Sequence, residues 1–191
     1  MTVGLIVPPP GVTGWTVTIP MPKWVYADNV GALVGQPVGW LTTNNVATTA
    51  RGKIRQSKIK QKWRRAAAAA YRDHHVPQGL NCRIEFTVAF AQAVGRLQFH
   101  DSPNAEYTVK PIQDALGPNV PTFTTKRLGR SGKTVKVPST EINGWGIVPN
   151  DSDRWVQRGR QQPALPKVPA DVGGLVVVTI TPCVATPNFQ Q

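Results

Sequence analysis

The stretch RGKIRQSKIKQKWRRAAAAAYRDHH, residues 51–75, constrains this chain more than any other. Ile59, Trp63, Ala66 and Ala70 recur at i, i+4, i+7 and i+11, which is one apolar stripe on a helix of 3.6 residues per turn. The alanines at 66–70 have the highest helix propensity of any residue. VPQG at 76–79 then stops the helix, and TTNNVATTARG ahead of it carries several side chains able to cap its start. Eight of the fifteen residues 51–65 are Lys or Arg, with no acid among them. Any fold must lay the stripe of this helix on a core and carry a dense array of cations beside it.

Strands are expected on either side. GWTVTIPMP at 14–22 alternates apolar and polar residues and ends in prolines. In LNCRIEFTVAFA at 80–91, Cys82, Ile84, Phe86, Val88 and Phe90 share one face, with Arg83, Glu85 and Thr87 on the other. GGLVVVTITP at 173–182 is a closing strand, and GIVPNDSDRWV gives a turn and a short strand. Residues 104–116 read as a second helix, with Asp101, Ser102 or Asn104 as its cap and Gly117 beyond its end. Between these motifs, residues 118–146 are dense in Pro, Gly and Thr, and a two-stranded basic arm around LGRSGK is expected. Residues 23–50 read as irregular. The order is strand, helix, strand, helix, arm, strand, strand. It predicts an α+β domain over 1–191, a small mixed β-sheet with two helices and an inserted basic arm.

The charge balance narrows the function. With 22 Lys and Arg against 10 Asp and Glu the net charge is +12, and a field of that sign attracts polyanions, nucleic acid first. No apolar run approaches the roughly 20 residues of a membrane span, and MTVGLIVPPPG lacks the basic start of a signal peptide. No membrane partner and a cytoplasmic location are therefore expected. Cys82 and Cys183, with His74, His75 and His100, form no zinc-ligand spacing, so reduced buried thiols are expected. The six tryptophans read as core anchors, Trp145 in NGWG being the one expected to stand exposed, as a wedge into the crossover of a bound junction.

Six of the ten acids lie between 101 and 153: Asp101, Glu106, Asp114, Glu141, Asp151 and Asp153. Carboxylates drawn together repel unless a cation lies between them. In a nucleic-acid-binding protein that cation is Mg²⁺, a hard ion that takes carboxylate oxygens and bridges to phosphate. A basic surface with an acidic pocket is what a metal-dependent nuclease requires. The spacing also has a plainer reading. Glu106, Lys110 and Asp114 at i, i+4 and i+8 make an ordinary ion-paired helix face, and Asp151 and Asp153 sit in PNDSD, a normal turn composition.

HDSPNAEYTVKPIQDAL followed by GWGIVPNDSDRWV resembles the signature of the RusA family of Holliday junction resolvases, in its phage and prophage branch. The resemblance implies a RusA-like fold and a Mg²⁺-dependent endodeoxyribonuclease, with Mn²⁺ able to substitute. It further implies a homodimer that nicks a four-way DNA junction symmetrically, in the cytoplasm of a bacterial host. By position it makes Asp101 and Asp151 the catalytic and metal-binding aspartates and Lys110 the catalytic lysine, with Asp114 as a helix aspartate of structural role. The chain departs from the founding pattern: Pro103 stands where a second aspartate is usual, Asn150 opens the usual Asp pair, the Asn-to-Lys spacing is longer, as in the phage branch, and the 118–146 arm replaces a very short link between the motifs. Glu106 or Asp153 then becomes the candidate replacement metal ligand.

Lys53, Arg55, Lys58, Lys60, Lys62, Arg64 and Arg65 on the first helix, with Lys126, Arg127, Arg130, Lys133 and Lys136 on the arm, are the expected phosphate contacts. Two alternatives keep the DNA but change the activity: a degenerate protein that binds branched DNA without cutting it, and a nuclease of flaps or forks.

Overall fold

The computed structural model describes residues 14–27, 31, 33–42, 47–80, 82–95, 102–128, 133–160 and 162–183. Eight elements follow in chain order: β1 Trp15–Pro20, α1 Ala50–Asp73, β2 Ile84–Gln92, α2 Ser102–Asp114, β3 Phe123–Leu128, β4 Lys133–Pro138, β5 Val156–Arg158 and β6 Gly174–Pro182. Four of the strands form one sheet in the order β1-β6-β2-β5. β6 runs antiparallel to both β1 and β2, while β5 runs parallel to β2, so the sheet is mixed. β3 and β4 pair antiparallel as a separate two-stranded arm. The α+β class, two helices and basic arm are as the sequence pattern predicts.

α1 carries out the division written into its sequence. Thr49 caps it, its hydroxyl accepting from the Gly52 N–H at 3.1 Å. Its buried residues are Ile59, Trp63, Ala67, Ala68, Ala70 and Tyr71, so the buried face is wider than the predicted stripe and Ala66 lies at its margin. Trp63 stacks on Trp40 with ring centroids 5.2 Å apart and donates its indole N–H to the Gly39 carbonyl. Tyr71, wholly buried, donates its hydroxyl to the Ile112 carbonyl of α2 at 3.1 Å, and burial pushes its pKa far up. The helix ends in a Schellman turn: the Val76 N–H reaches the Tyr71 carbonyl and the His75 N–H the Arg72 carbonyl. His75 takes the left-handed conformation (φ 53°) that glycine usually supplies there.

β2 begins at Ile84 and not at Leu80, because Leu80 turns aside to donate to the Ile147 carbonyl. The predicted alternation holds through Val88; beyond it Ala89, Phe90, Ala91 and Gln92 are all buried. A Pro-rich segment following β5 covers that edge. The N–H groups of Gly159, Gln162, Leu165 and Val168, every third residue, bond the carbonyls of Phe86, Val88, Phe90 and Gln92, every second residue. That mismatch prevents a regular strand, and Pro163, Pro166 and Pro169, which have no N–H to give, lie between or beyond the donors. Cys82 and Cys183 are free and half-buried rather than buried. β2–β6 pairing brings their segments together, the Cys183 N–H bonding the Arg83 carbonyl.

The arm is closed at its base. Asn143, buried, donates its side-chain amide to the Val120 carbonyl at 2.7 Å and accepts from the Val120 N–H at 3.0 Å. Its own N–H reaches Asn119 Oδ1 at 2.9 Å. Gly144 packs so tightly on the 117–118 backbone that a Cβ would fall 2.4 Å from the Pro118 oxygen. Beyond the clasp, Trp145, Gly146 and Ile147 bond the carbonyls of Ala115, Gly117 and Leu116. The segments before and after the arm are thus stitched together directly. Trp145 is half-buried against the core with its indole N–H on the Val76 carbonyl at 2.6 Å, which corrects its expected exposure and leaves no free wedge.

Candidate active site

The stitching carries the PNDSD turn to the flank of α2. An open cleft of about 680 Å³ lies between them, lined by Glu106, Lys110 and Gln113 from α2, Asn150 to Asp153 from the turn, and Arg158 from β5. Glu106, Lys110, Gln113 and Asp114 occupy one face of α2 by helical periodicity. α2 also contains Pro111, which cannot donate to the Tyr107 carbonyl one turn earlier. Thr108, on the buried side, anchors the helix by bonding both the N–H and the carbonyl of Leu41.

Lys110 is the hub. Its ammonium meets Asp114 Oδ1 at 2.7 Å, one helical turn on, and also Asp151 Oδ2. Burial works against the Lys110 charge, yet the hydrogen bonds to Asp114 and Asp151 outweigh it and raise the pKa. The two carboxylates respond in opposite senses. Burial, opposed by Lys110 and reinforced by the nearby Asp151, raises Asp114. Asp151 is held below the usual carboxylate range, chiefly by its hydrogen bond to Lys110, with a further bond from Asp114 helping against burial. A pair of carboxyls whose proton affinities are driven apart suits division of labour in acid–base or metal chemistry.

A second pairing closes the other wall. The Arg158 guanidinium holds both oxygens of Glu106 and donates through Nε to Gln113 Oε1. Gln113, almost fully buried, donates its amide to the Asp151 backbone carbonyl at 3.1 Å. It therefore fixes the turn to the helix and aims Arg158 at once. Ser152 N–H bonds Asn150 Oδ1, an Asx turn that sets the direction of Asp151.

Of the site residues expected from sequence, Lys110, Asp151, Glu106 and Asp153 share this cleft. Asp101 lies outside the described residues, and of the three cap candidates Ser102 and Asn104 fall inside α2. Asp114, expected to be structural, shares the lysine with Asp151. Gln113 and Arg158 were not foreseen. Gln113 stands three residues after Lys110 and seven after Glu106, so helical spacing signals it. Arg158 meets its partners across 45 and 52 residues and has no local signal.

The donor set suits a hard cation. Glu106, Asp114, Asp151 and Asp153 stand against Lys110 and Arg158. With all ionised, two negative charges are left over, the charge of one divalent ion. Carboxylate oxygens around a cation position are what Mg²⁺ selects, and here the Lys110 ammonium takes that position between Asp114 and Asp151. Among the described residues no three His, Cys, Asp or Glu side chains converge tightly enough to hold a metal by themselves.

The expected phosphate contacts divide. Lys53 and Arg55 are exposed on the first turns of α1, and Lys58 is half-buried. Lys60 lies 5.1 Å over the Tyr107 ring, and Lys62 lies within 6 Å of the Trp24 and Tyr26 rings. Arg64 donates to the Asn143 carbonyl at 2.6 Å and Arg65 pairs with Glu141, so these two brace the base of the arm. On the arm Lys136 is exposed, Lys126, Arg127 and Lys133 have only their backbone described, and Arg130 is outside the described residues. Among the described residues no helix is long and apolar enough to cross a membrane.

Fold and cleft define a small α+β protein with an acidic, lysine-centred cleft on a basic body. No known family model, curated protein or solved structure matches the chain.

Proposed function

We propose that the chain is a metal-dependent endodeoxyribonuclease that nicks branched DNA, a four-way junction in preference to a fork or flap, as a two-fold homodimer. The observation that carries this reading is the convergence of Asp114 and Asp151 on Lys110 in an open cleft of a chain with net charge +12. The RusA-like motifs point to the same cleft, since Lys110 and Asp151 come from the two segments that carry the resemblance and Asp101 immediately precedes α2 in sequence. Asp151 with Asp101 would hold Mg²⁺ or Mn²⁺, with Glu106 or Asp153 supplying a further oxygen. Bound there, the ion would supply a hydroxide nucleophile at neutral pH and stabilise the leaving oxygen. Lys110 and Arg158 face the same space and neutralise charge on the phosphate as it passes through the transition state. Lys53 and Arg55 on α1 and Lys136 on the arm hold the backbone of the DNA without reading its sequence. A four-way junction has approximate two-fold symmetry, so paired nicks call for two cleft copies related by the same axis.

A non-cutting binder of branched DNA is the second reading. It is favoured by the ammonium that already fills the position between the two carboxylates. A labelled mobile junction, a fork, a flap and a linear duplex, each incubated with the protein in Mg²⁺ and in chelator, separate the two. Symmetric paired nicks on the junction in Mg²⁺ support the nuclease. Retention of the junction without cutting in either Mg²⁺ or Mn²⁺ supports the binder.

A further inference from the structure

A second groove lies away from the cleft. It has a volume of about 370 Å³, between α1, the segment following β1, and the strand-return of the arm. Lys62, Arg65, Ala66, Ala69 and Arg72 of α1 line it. They are spaced by three or four residues and so share one face of the helix. Lys60 and Tyr71, which reach Tyr107 and Ile112 of α2, lie on the opposite face at 100° per residue. The groove therefore opens on the flank of α1 that is turned away from α2 and the carboxylate cleft.

Its chemistry is mixed in a particular way. Four cations, Lys23, Lys62, Arg65 and Arg72, line it with one acid, Glu141, which is itself engaged by Arg65, while Arg72 also pairs with the neighbouring Asp73, an exposed ion pair. Between them lie the half-buried Ala66, Ala69 and Ile142, with Val25 exposed beside them. Tyr26, 64% exposed, follows the groove residue Val25 in sequence, and its ring lies 5.9 Å from the ammonium of Lys62, which lines the groove. Backbone bonds hold this edge in place: the Trp24 N–H, on a buried residue, bonds the Gln36 carbonyl, the Gly35 N–H bonds the Trp24 carbonyl, and the Val38 N–H bonds the Pro22 carbonyl. A duplex offers a protein surface chiefly phosphates, for which apolar side chains and an exposed aromatic ring are of no use. Unpaired nucleotides offer both phosphates and base faces, and cations interleaved with an exposed ring are the means by which single strands are held.

We propose that this groove binds a single-stranded DNA segment, its phosphates on Lys23, Lys62 and Arg72 and a base stacked on Tyr26. The site is separate from the cleft and stands whether or not the cleft cuts DNA. The test is fluorescence anisotropy of a labelled oligo-dT 12-mer and of a blunt duplex with the full chain, in chelator, so that cleavage plays no part in the readout. Tyr26→Ala weakens the oligonucleotide by about tenfold and leaves the duplex unchanged, while Tyr26→Phe, which keeps the ring, stays within about twofold of the parent. Lys23→Ala combined with Arg72→Ala makes the plot of log affinity against log salt shallower by about 1.4 for the oligonucleotide, the share of two phosphate contacts on a single strand. An unchanged oligonucleotide affinity in Tyr26→Ala, or an equal loss on the duplex, overturns the proposal. Competition by polyglutamate as effective as unlabelled oligo-dT, charge for charge, would instead make this a groove for acidic protein segments.

Discussion

The carboxylate cleft and the amino-terminal half of α1 are both crowded with charge and use it in opposite ways. In the cleft Lys110 is shared by Asp114 and Asp151, and Arg158 is shared by Glu106 and Gln113. Each side chain there is held by another, so the groups are positioned before any ligand arrives. Residues 51–65 contain no acid of their own; Arg65 takes its partner, Glu141, from beyond the arm, while Lys53 and Arg55 project into solvent. Such charges fix no geometry. They create a field that acts over about a Debye length, roughly 10 Å at moderate salt, and that salt screens. If the proposed function holds, the paired charges of the cleft position its groups and the exposed cations of α1 draw a polyanion toward them.

The sharpest way to break this comparison is to remove one charge from each region and read cutting and binding apart. Asp151→Asn should abolish Mg²⁺-dependent nicking of a junction while leaving junction affinity in chelator near that of the parent, as measured by gel shift. If both fall together, the cleft is part of the binding surface and the contrast fails. Lys110→Ala should lower the nicking rate on the order of 10²- to 10³-fold, the usual cost of losing one donor to transition-state charge. It also leaves Asp114 and Asp151 facing each other without a cation. The melting temperature of this variant should therefore rise with added Mg²⁺ more than that of the parent, which would show that the ammonium stands where a metal fits.

Lys53→Ala with Arg55→Ala should leave the cutting of saturated junction unchanged and make the salt dependence of duplex binding shallower by about 1.8, two phosphate contacts' worth. A smaller effect still is expected from proton affinity. In metal-free protein, NMR of the side-chain carboxyls should show Asp114 titrating above and Asp151 below the ordinary Asp range of about 3.9. The sign follows from which form folding favours. Asp151 contributes stability that is present above its unfolded pKa and fades as pH falls through its depressed folded value. Asp114, raised by burial, costs stability when ionised, and that cost is relieved as pH falls through its raised folded value. Lys110, raised by its partners, contributes stability below its unfolded pKa that is lost only as pH rises through the folded value.

Some of this was legible before any coordinates. Periodicity placed α1, β2 and β6, because a buried helix stripe and a half-buried strand face impose spacings of 3.6 and 2 on the apolar residues. Trp63 was readable as core for the same reason, and Trp63→Ala should cost about 3–5 kcal/mol in chemical denaturation. The start of β2 was misplaced because Leu80 takes its partner from Ile147, a contact no local pattern encodes. Trp145 was read as exposed from its glycine neighbours, yet the same glycines let the backbone turn tightly against 115–118 and tuck the indole onto Val76.

The sequence by itself determined the class of fold, the basic character, and a short roster of candidate acids with one lysine. The fold class and basic character follow from periodicity and composition, and the acids and the lysine from charge distribution and the RusA-like motifs, all properties of the chain alone. Only the tertiary structure decided which of the acids share the lysine. Asp114 joins Asp151 because stitched backbone bonds carry residues 145–147 back onto 115–117 and so bring a turn 41 residues distant onto Lys110. It likewise decided that Arg64 and Arg65 brace the arm while Lys53 and Arg55 face solvent, and that Arg158 completes the cleft. Pairing of charges depends on distance through space, and distance through space is set by the packing of segments far apart along the chain.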